Sequence, residues 1–541
     1  MDYTHLLDTF TWREAEEAFN WKPGQPINMA YHSCDMWAKD PNRIAIYWEN
    51  ETGDQETWTF QQLKEKSDQI ANGLRSMGFK KGDRIAGLLG KDMELIITIL
   101  AVWKIGAIYV PLFTAFESDA ILHRVQDSGT ELVVTNKKQK MKFADRVSSN
   151  VQTLLIDELN ADGKSFWEWV DSFSKDHDIE HTTELDPSII QYTSGTTGLP
   201  KGAVLMHNSS IALYPYMKYA INLHEDDVFF GGADLGWAYG LMPCTFSPLS
   251  LGIPIVYYKG PFDVEKVYEL LDKYDVTNFT FAPTAYRMMA AAGSKLLENY
   301  DIRVKNFSSA GEPLNAEPIR FFEKHFGRHI YDHYGSTETG MIVNNYNCMD
   351  FKVKPGSMGL PLPGFTVELI DAKGEPVKQG ETGQIVIDST NEYFLFNEYW
   401  ENPRETSDKL FGRWFLTGDL AKTDEDGYFW FQGRSDDVIS SAGYRIGPTE
   451  VEDSLMTHPA IVEAAVIGKP DEAKGEIIKA YIVLSEKHTP SEDLKQELID
   501  VVKNKLSRHQ YPREIEFLTE LPKTQSGKIQ RFILRKREQQ A

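Results

Sequence analysis

Alternation between short apolar runs and amphipathic helices is the feature that most restricts how this 541-residue chain can fold. In residues 59–135, a helical stretch with Thr59 as its N-cap ends near Gly78, and strand and helix patterns then follow in turn. Residues 255–335 repeat this pattern. Such alternation is typical of parallel sheets covered by helices on both faces. It therefore predicts an α/β fold with a large N-terminal domain of doubly wound sheets.

The last third of the chain departs from this pattern. Residues at about 355–430 contain short alternating runs between glycine-rich turns, which predicts a small antiparallel β subdomain. Further on, Thr449 and Glu452 have the spacing of a helix capping box, and strand and helix patterns follow. We therefore expect an N-terminal domain over 1–435 and a small α+β C-terminal domain over 436–541.

Charge and cysteine usage exclude several classes of protein. The formal net charge of −23 argues against nucleic-acid binding as the main role. The three cysteines, Cys34, Cys244 and Cys348, are widely spaced, which favours a reducing compartment over a disulfide framework or a zinc site. The N-terminus lacks the apolar core of a signal peptide, and the apolar run 95–103 is too short to span a membrane. These features predict a cytoplasmic protein without a membrane span.

Two polar motifs indicate phosphate chemistry. Residues 192–202, YTSGTTGLPKG, combine glycines that permit close backbone approach with hydroxyls and one lysine that can bind phosphate oxygens. The spacing of a Walker A loop is absent. Residues 331–340, YDHYGSTETG, follow an apolar strand and supply an aromatic ring for a base, hydroxyls for phosphate and Glu338 for Mg²⁺. Either motif alone is compatible with a solvated surface loop, but together they favour a nucleotide site.

The two motifs together resemble the adenylate-forming (ANL) superfamily, which includes acyl-CoA synthetases, adenylation domains and luciferases. The resemblance runs from Tyr192 to Arg531 and has the specific spacing of several ordered motifs. Those further motifs are SSAGEPLN at 308–315, FLTGDLAKTDEDGYFWFQGRSDDVI at 415–439, SAGYRIGPTEVE at 441–452 and LPKTQSGKIQR at 521–531.

The resemblance implies a two-step reaction with ATP, Mg²⁺ and coenzyme A. A carboxylate first attacks the α-phosphate of ATP, which gives acyl-AMP and pyrophosphate, and a thiol then displaces AMP. Negative charge gathers at the α-phosphate in the first transition state, so preorganised donors and cations are needed there.

The family pattern assigns a role to each matching residue. Residues that would hold the β- and γ-phosphates are Thr193, Ser194, Gly195, Thr196, Thr197, Gly198, Leu199, Pro200 and Lys201. Residues that would surround the adenine are Gly311, Glu312, Pro313, Asp332, His333 and Tyr334, and Gly335 and Ser336 complete this part of the nucleotide site. The remaining implied roles are α-phosphate binding by Thr337, Mg²⁺ binding by Glu338, ribose binding by Asp419 beside Arg434, phosphate binding by Arg445, and a bridge from Lys528 to the carboxylate and α-phosphate.

The resemblance also implies that the C-terminal domain is mobile. Asp436 aligns with the family's hinge, about which the domain rotates between the two half-reactions. One pose would deliver Lys528, and the other would present the SAGYRIG loop, where Gly443 leaves room for the pantetheine arm of CoA. Acetylation of Lys528 by a lysine acetyltransferase is implied in the same way and would remove its charge.

The acid substrate is inferred from five residues that the resemblance places in the acyl pocket: Trp237, Ala238, Tyr239, Ala310 and Gly335. Three of them are small, and acetate-specific members have tryptophan where this chain has Gly335. The prediction is a short-to-medium carboxylic acid of about four to eight carbons, straight or branched. Three alternatives remain at this point: an acetate–CoA ligase, an enzyme that loads a carrier protein, and a non-catalytic adenylate-binding sensor.

Overall fold

The computed structural model describes most of the chain as two compact units. The described residues are 2–160, 163–193, 199–312, 314, 316–441, 444–471, 475–485, 487–506, 510–523 and 529–540, without the side chains of 440, 444, 445, 539 and 540. The first unit contains the chain up to Thr193, Pro200–Val367 and Asp388–Arg413, and the second contains Glu368–Ile387 and the chain from Trp414 onward. The domain boundary at 435/436 remains a prediction from the sequence.

The first unit contains a nine-stranded mixed sheet. Its six central strands, from Ile330–Ser336 to Ile44–Asn50, are parallel, and its outer pairs are antiparallel. The strands in spatial order are Leu360–Pro361, Gly340–Asn344, Ile330–Ser336, Asn306–Ala310, Asn278–Phe281, Phe229–Gly231, Ile255–Lys259, Ile44–Asn50 and Gln55–Thr59.

A seven-stranded sheet forms most of the remaining β-structure of the first unit. Five of its strands, from Pro187–Thr193 to Gln152–Leu155, are parallel, and the last two pairings are antiparallel. The strands in spatial order are Phe396–Tyr399, Lys201–Met206, Pro187–Thr193, Ile108–Pro111, Arg84–Leu88, Leu132–Thr135 and Gln152–Leu155; the short strand Leu410–Phe411 also belongs to this unit.

Helices connect these strands, as the alternating sequence pattern predicts. Thr59 caps the helix Phe60–Ser76 through a capping box with Gln62, and Gly78 follows with a φ of +97°. The α-helices of the first unit are Tyr3–Thr9, Trp12–Ala18, Phe60–Ser76, Met93–Lys104, Ser118–Asp127, Lys137–Lys140, Phe166–Asp171, Ser209–Ala212, Ala238–Leu241, Ser247–Ser250, Val264–Lys273, Pro283–Ala292, Ala316–Phe326 and Pro403–Asp408. Short π-helical turns lie at Tyr31–Asp35, Tyr216–Ala220 and Met242–Phe246, and a 3₁₀ turn lies at Leu296–Asn299.

The apolar run that is too short for a membrane forms a core helix. In the helix Met93–Lys104 every residue except Glu94 is buried. Lys104 is fully buried at its end, and its ammonium group lies 2.8 Å from a carboxylate oxygen of Asp35 and 2.6 Å from one of Asp68. Two carboxylates thus compensate the buried cation. None of the helices described here is long and apolar enough to cross a membrane.

The second unit combines two small sheets with three helices, which confirms the predicted β subdomain and α+β region. The first sheet includes the strands Val367–Ile370, Gly383–Asp388, Trp414–Thr423 and Phe429–Arg434. The strands of the second are Tyr444–Ile446, Ile439–Ser441, Gly475–Leu484 and Ile461–Asp471, with Glu514–Leu518 beside Gly475–Leu484. The helices are Pro448–Met456, Glu492–Lys505 and Arg531–Gln540, and a buried apolar cluster that includes Val451, Ala480 and Leu498 lies between the second sheet and its helices.

The predicted capping box at Thr449 is wrong. The helix begins at Pro448, with Gly447 as N-cap and no side-chain cap. Glu452 instead accepts a hydrogen bond of 2.7 Å from the backbone N–H of Val466 and binds the guanidinium of Arg531 through both carboxylate oxygens. Proline is well suited to the first helical position, which it occupies here because it needs no N–H partner.

Candidate functional site

The order of the parallel strands indicates that the predicted site lies beyond their carboxyl ends in the nine-stranded sheet. Strand Phe229–Gly231 has the next two parallel strands of the sequence on opposite sides, so the strand order reverses there. Ligands of open α/β sheets bind beyond the carboxyl ends of the strands at such a reversal. This carboxyl end is followed by Trp237 and by the short helix Ala238–Leu241, which contains Tyr239. Ala310 and Ser336 end two neighbouring parallel strands.

The described ends of the first motif form the base of a hairpin. Strand Pro187–Thr193 is antiparallel to Lys201–Met206, and Thr193 pairs directly with Lys201. Lys201 makes an ion pair with Glu405, and its ammonium nitrogen lies 5.7 Å from the ring centroid of Tyr399. Ser194, Gly195, Thr196, Thr197 and Gly198 lie outside the described residues, so their phosphate contacts stay predictions.

The second motif forms a tight turn between two antiparallel strands. The backbone N–H of Ser336 donates to the hydroxyl of Thr339 over 3.1 Å, and the backbone N–H of Thr339 donates to the hydroxyl of Ser336 over 3.3 Å. Thr337 and Glu338 therefore lie at the tip of a turn that its flanking residues hold. Glu338 accepts a hydrogen bond of 2.8 Å from the hydroxyl of Tyr399.

Gly335 is required by a close approach of the backbone. A Cβ atom added there would lie 1.9 Å from the carbonyl oxygen of Gly340 and 2.7 Å from Cα of Met341. The expectation that this glycine leaves open space for an acyl chain beside its Cα is therefore wrong. The space that a side chain would need is filled by the neighbouring strand.

His333 is a neutral, buried residue whose two ring nitrogens both have hydrogen-bond partners. Burial lowers its pKa to about 3. Its Nε2 lies 3.1 Å from the carbonyl oxygen of Asn345, so Nε2–H donates there and Nδ1 accepts from the hydroxyl of Tyr216 over 2.9 Å. Tyr239 in turn donates to Tyr216 over 2.9 Å, and the hydroxyl of Thr280 lies 2.9 Å from that of Tyr239.

This series of hydrogen bonds determines which group each hydroxyl donates to, and it holds Tyr239 in position. Because Tyr216 donates its only O–H to His333, Tyr239 must donate to Tyr216 and cannot also donate to a ligand. Tyr239 therefore presents its ring and an acceptor oxygen, not a free O–H donor. Trp237 packs against two phenylalanines, with ring centroids 5.3 Å from Phe113 and 5.8 Å from Phe116.

Asp332 carries a buried carboxyl oxygen that is ready for a ligand donor. Its Oδ1 atom is buried and has no hydrogen-bond partner among the described residues. Burial raises the pKa of Asp332 to about 8, against a smaller lowering by the hydroxyl of Ser309 and by backbone N–H groups. A protonated carboxyl offers one acceptor and one donor, which complements the N6 amino group and N7 of adenine. This orphaned atom fits the adenine role that the family resemblance gives to Asp332.

The raised pKa of Asp332 makes a testable stability prediction. Between about pH 4 and pH 8 the folded protein keeps this carboxyl protonated while the unfolded chain ionises it, so stability from this group falls as pH rises. Asp332→Asn lacks this dependence. We expect the melting temperature of the variant, relative to that of the wild type, to rise steadily from about pH 5 to about pH 8. A difference that does not change with pH would contradict the buried, protonated state.

Glu312 is held beside the predicted adenine site by two partners. Its carboxylate accepts a hydrogen bond of 2.8 Å from Arg287 and one of 2.9 Å from Thr284. Gly311, just before it, has a φ of +101° and open space where a Cβ would point. Pro313 lies outside the described residues.

The second unit brings together three of the predicted residues. Asp419 and Arg434 lie opposite each other on neighbouring strands, and Arg434 donates to the carboxylate of Asp419 over 3.0 Å. Its Nε also lies 3.4 Å from the carboxylate of Asp436, the predicted hinge. Arg434 therefore joins the proposed ribose acid to the hinge residue. Gly443, Lys528 and the side chain of Arg445 lie outside the described part of the chain, and their roles remain predictions.

Sequence reasoning missed the contribution of the segment 396–408. Tyr399 and Glu405 contact the two predicted charged residues Glu338 and Lys201, yet neither belongs to a motif that we used. Their contacts join residues far apart in the sequence. The detectable signal is local: a strand that ends at Tyr399 is followed by an asparagine–proline helix start before Glu405.

Comparison with known proteins identifies the family of the chain. The family model of AMP-binding enzymes matches residues 35–400, and the model of the AMP-binding enzyme C-terminal domain matches residues 450–528. The chain belongs to the AMP-binding enzyme family. The first match alone covers more than half of the chain, so membership rests on a long stretch of sequence and not on isolated motifs.

Relatives match the chain over nearly its full length. It is 38% identical to acetyl-coenzyme A synthetase of Bacillus subtilis, over 99% of this chain and 94% of that one. It is 36% identical to the mitochondrial acyl-coenzyme A synthetase ACSM3 of Rattus norvegicus, over 95% and 90% of the two chains. The crystal structure of Brucella canis acyl-CoA synthetase matches with a TM-score of 0.78 and 39% identity, and covers 99% of each chain.

Proposed function

We propose that this protein activates a short-to-medium carboxylic acid, of about four to eight carbons, with ATP and transfers the acyl group to coenzyme A. The reaction class follows from its family and full-length relatives: the chain is an AMP-forming carboxylic acid–CoA ligase. ATP, Mg²⁺ and CoA are the reactants and ion that this class uses. The identity of the acid and the residue roles are the proposal.

One observation carries the assignment of the nucleotide site. Lys201 and Glu338 come from two distant motifs, yet both lie against the side chain of Tyr399, one above its ring and the other on its hydroxyl. A cation for phosphate oxygens and an acid for Mg²⁺ are therefore close enough to serve one polyphosphate. Phosphoryl and adenylyl transfer rely on cations and metal ions placed at the phosphates, which such a pair can supply.

Each residue then has a defined task in the first half-reaction. Lys201 binds the outer phosphates, Thr337 donates to the α-phosphate, and Asp332 binds the adenine edge. Glu338 is the carboxylate that would hold Mg²⁺, and the ion would neutralise phosphate charge. Lys528 stabilises the charge that develops as the carboxylate oxygen attacks the α-phosphorus and the bond from that phosphorus to the leaving pyrophosphate breaks.

The second half-reaction needs the hinge and the thiol path. Rotation about Asp436 would replace Lys528 by the loop with Gly443, past which the thiol reaches the acyl carbonyl and displaces AMP. Acetylation of Lys528 would neutralise its ammonium group and stop only the first half-reaction. The predicted cytoplasmic location remains part of the proposal.

We assign the control of acyl chain length to residues that end the parallel strands or follow them in the sequence. Ala238 and Ala310 are small, and the hydrogen-bonded chain behind Tyr239 keeps that ring in place. Since Tyr239 has no free O–H to donate, the residues proposed for the pocket favour an apolar acyl chain over one with a second polar group.

A panel of acids tests the substrate proposal. Each additional buried methylene discriminates by about 10-fold or somewhat more, so kcat/KM for butyrate should exceed that for acetate by about 10²-fold. Initial rates of acid-dependent pyrophosphate release with acetate, butyrate, isobutyrate, hexanoate and octanoate give this comparison. Preference for acetate would contradict the proposed pocket and make the protein an acetate–CoA ligase. Parallel assays with free CoA and with a pantetheinylated carrier protein identify the acceptor.

A further inference from the structure

The segment 396–408 binds both charged residues that the proposed function assigns to the polyphosphate and Mg²⁺. Strand Phe396–Tyr399 pairs with Lys201–Met206, and Tyr399 lies opposite Ala203. The chain then turns, and the helix Pro403–Asp408 brings the carboxylate of Glu405 to the ammonium group of Lys201. Lys201 thus has a carboxylate partner within the protein itself.

The backbone around Glu405 is well supported. The side chain of Asn402 accepts a hydrogen bond of 3.2 Å from the backbone N–H of Glu405. The hydroxyl of Thr406 accepts one of 2.9 Å from the backbone N–H of Tyr399 and donates to the carbonyl of Asn402. These contacts fix the start of the helix to the end of the strand, so the backbone at Glu405 is held independently of its ion pair.

Partial exposure makes the ion pair exchangeable. The side chain of Lys201 is 20% exposed and that of Glu405 is 39% exposed. When Lys201 turns to a phosphate oxygen, the Glu405 carboxylate can be solvated in place, and no buried charge is left unpaired. A fully buried pair would resist such an exchange.

We propose that Glu405 is the resident counterion of Lys201 and competes with the β- and γ-phosphates of ATP, and with pyrophosphate, for its ammonium group. This inference rests on the proposed nucleotide role of Lys201. Glu405 is a positioning residue, because it acts on the nucleotide through Lys201. When no polyphosphate is bound, the Glu405 carboxylate keeps Lys201 close to the site. When a polyphosphate binds, the same carboxylate competes for Lys201 and weakens the binding.

The variant Glu405→Gln tests this competition. The amide oxygen still accepts a hydrogen bond from Lys201, so the lysine stays in place while the competing charge is lost. Because exposed ion pairs are weak, we expect the Kd of Mg-ATP and the Kd of pyrophosphate to fall by about 2- to 5-fold. The Kd of AMP should not change, since AMP has neither of the outer phosphates.

Two control variants separate a local effect from a general one. Glu405→Asp keeps the charge and should bind Mg-ATP within about 2-fold of the wild type. Glu398→Gln removes an exposed carboxylate from the strand Phe396–Tyr399 of the same segment and should change none of the three dissociation constants. An equal fall in Glu398→Gln would show that net charge alone is responsible and would overturn the proposal.

Isothermal titration calorimetry of the whole 541-residue chain at fixed ionic strength gives the Kd of Mg-ATP, of pyrophosphate and of AMP. Melting temperatures confirm that each variant is folded. An unchanged or raised Kd of Mg-ATP in folded Glu405→Gln would overturn the inference but not the proposed function. Failure of the wild type to bind ATP, pyrophosphate and AMP would contradict the proposed function itself.

Discussion

Lys528→Ala lowers the rate of acyl-adenylate formation by about 10²- to 10³-fold, the usual effect of removing one preorganised group that stabilises transition-state charge. The same variant retains thioester formation from supplied acyl-AMP and CoA, because the negative charge at the α-phosphate develops only in the first half-reaction. The two rates are measured separately, by ATP–pyrophosphate exchange and by acyl-CoA formation from synthetic acyl-AMP.

A neighbouring lysine provides the control for this result. Lys536 is exposed on the helix Arg531–Gln540, and Lys536→Ala removes the same charge from the same region. It should leave both half-reactions close to the wild-type rates. Equal loss of both half-reactions in Lys528→Ala, or an equal loss in Lys536→Ala, would refute the assignment of Lys528.

Gly335→Ala lowers kcat/KM by about 10²-fold or more for every acid tested, because a misplacement of about 1 Å at a reacting centre costs that much. The added Cβ would overlap the carbonyl oxygen of Gly340, so one of the two strands that carry the Ser336–Thr339 turn must move. Thr337 and Glu338 would move with it. The loss therefore affects nucleotide activation and does not depend on the length of the acyl chain.

Gly90 supplies a matched control for the glycine substitution. A Cβ atom at Gly90 would lie 3.7 Å from a side-chain oxygen of Asp92, which is ordinary contact. Gly90→Ala should therefore retain activity and melting temperature. If Gly335→Ala kept full activity with some acids and lost it with others, the glycine would control chain length after all, and the close backbone approach would not limit the site.

Local patterns in the sequence predicted much of the fold because they depend on neighbouring residues. Thr59 and Gly78 delimit the first long helix as expected, since capping and left-handed backbone are local properties. Local spacing misled at Thr449, where Pro448 begins the helix and Glu452 instead binds Arg531 from a distant part of the chain. When a side chain has two potential partners, tertiary contacts determine which one it binds, and residue spacing does not reveal those contacts.

Some residues of the candidate site can likewise be predicted from local sequence patterns, and others cannot. Small residues, hydroxyls and Glu338 identified the nucleotide motifs, because phosphate binding selects those residue types directly. The burial of Asp332 and the contacts of Glu405 depend on packing between segments distant in sequence, so no local pattern predicts them. The meaning of Gly335 was misjudged because residue size alone does not show whether the adjacent space is open or filled by backbone.

The products of one reaction test the central claim most directly. The purified protein is incubated with ATP, Mg²⁺, CoA and butyrate whose carboxylate is labelled with heavy oxygen, and the products are identified by mass spectrometry. We expect AMP, pyrophosphate and butyryl-CoA in equal amounts, with one labelled oxygen transferred to AMP, since the carboxylate oxygen bonds to the α-phosphorus. Formation of ADP and phosphate, or of AMP without the label, would contradict an acyl-adenylate mechanism.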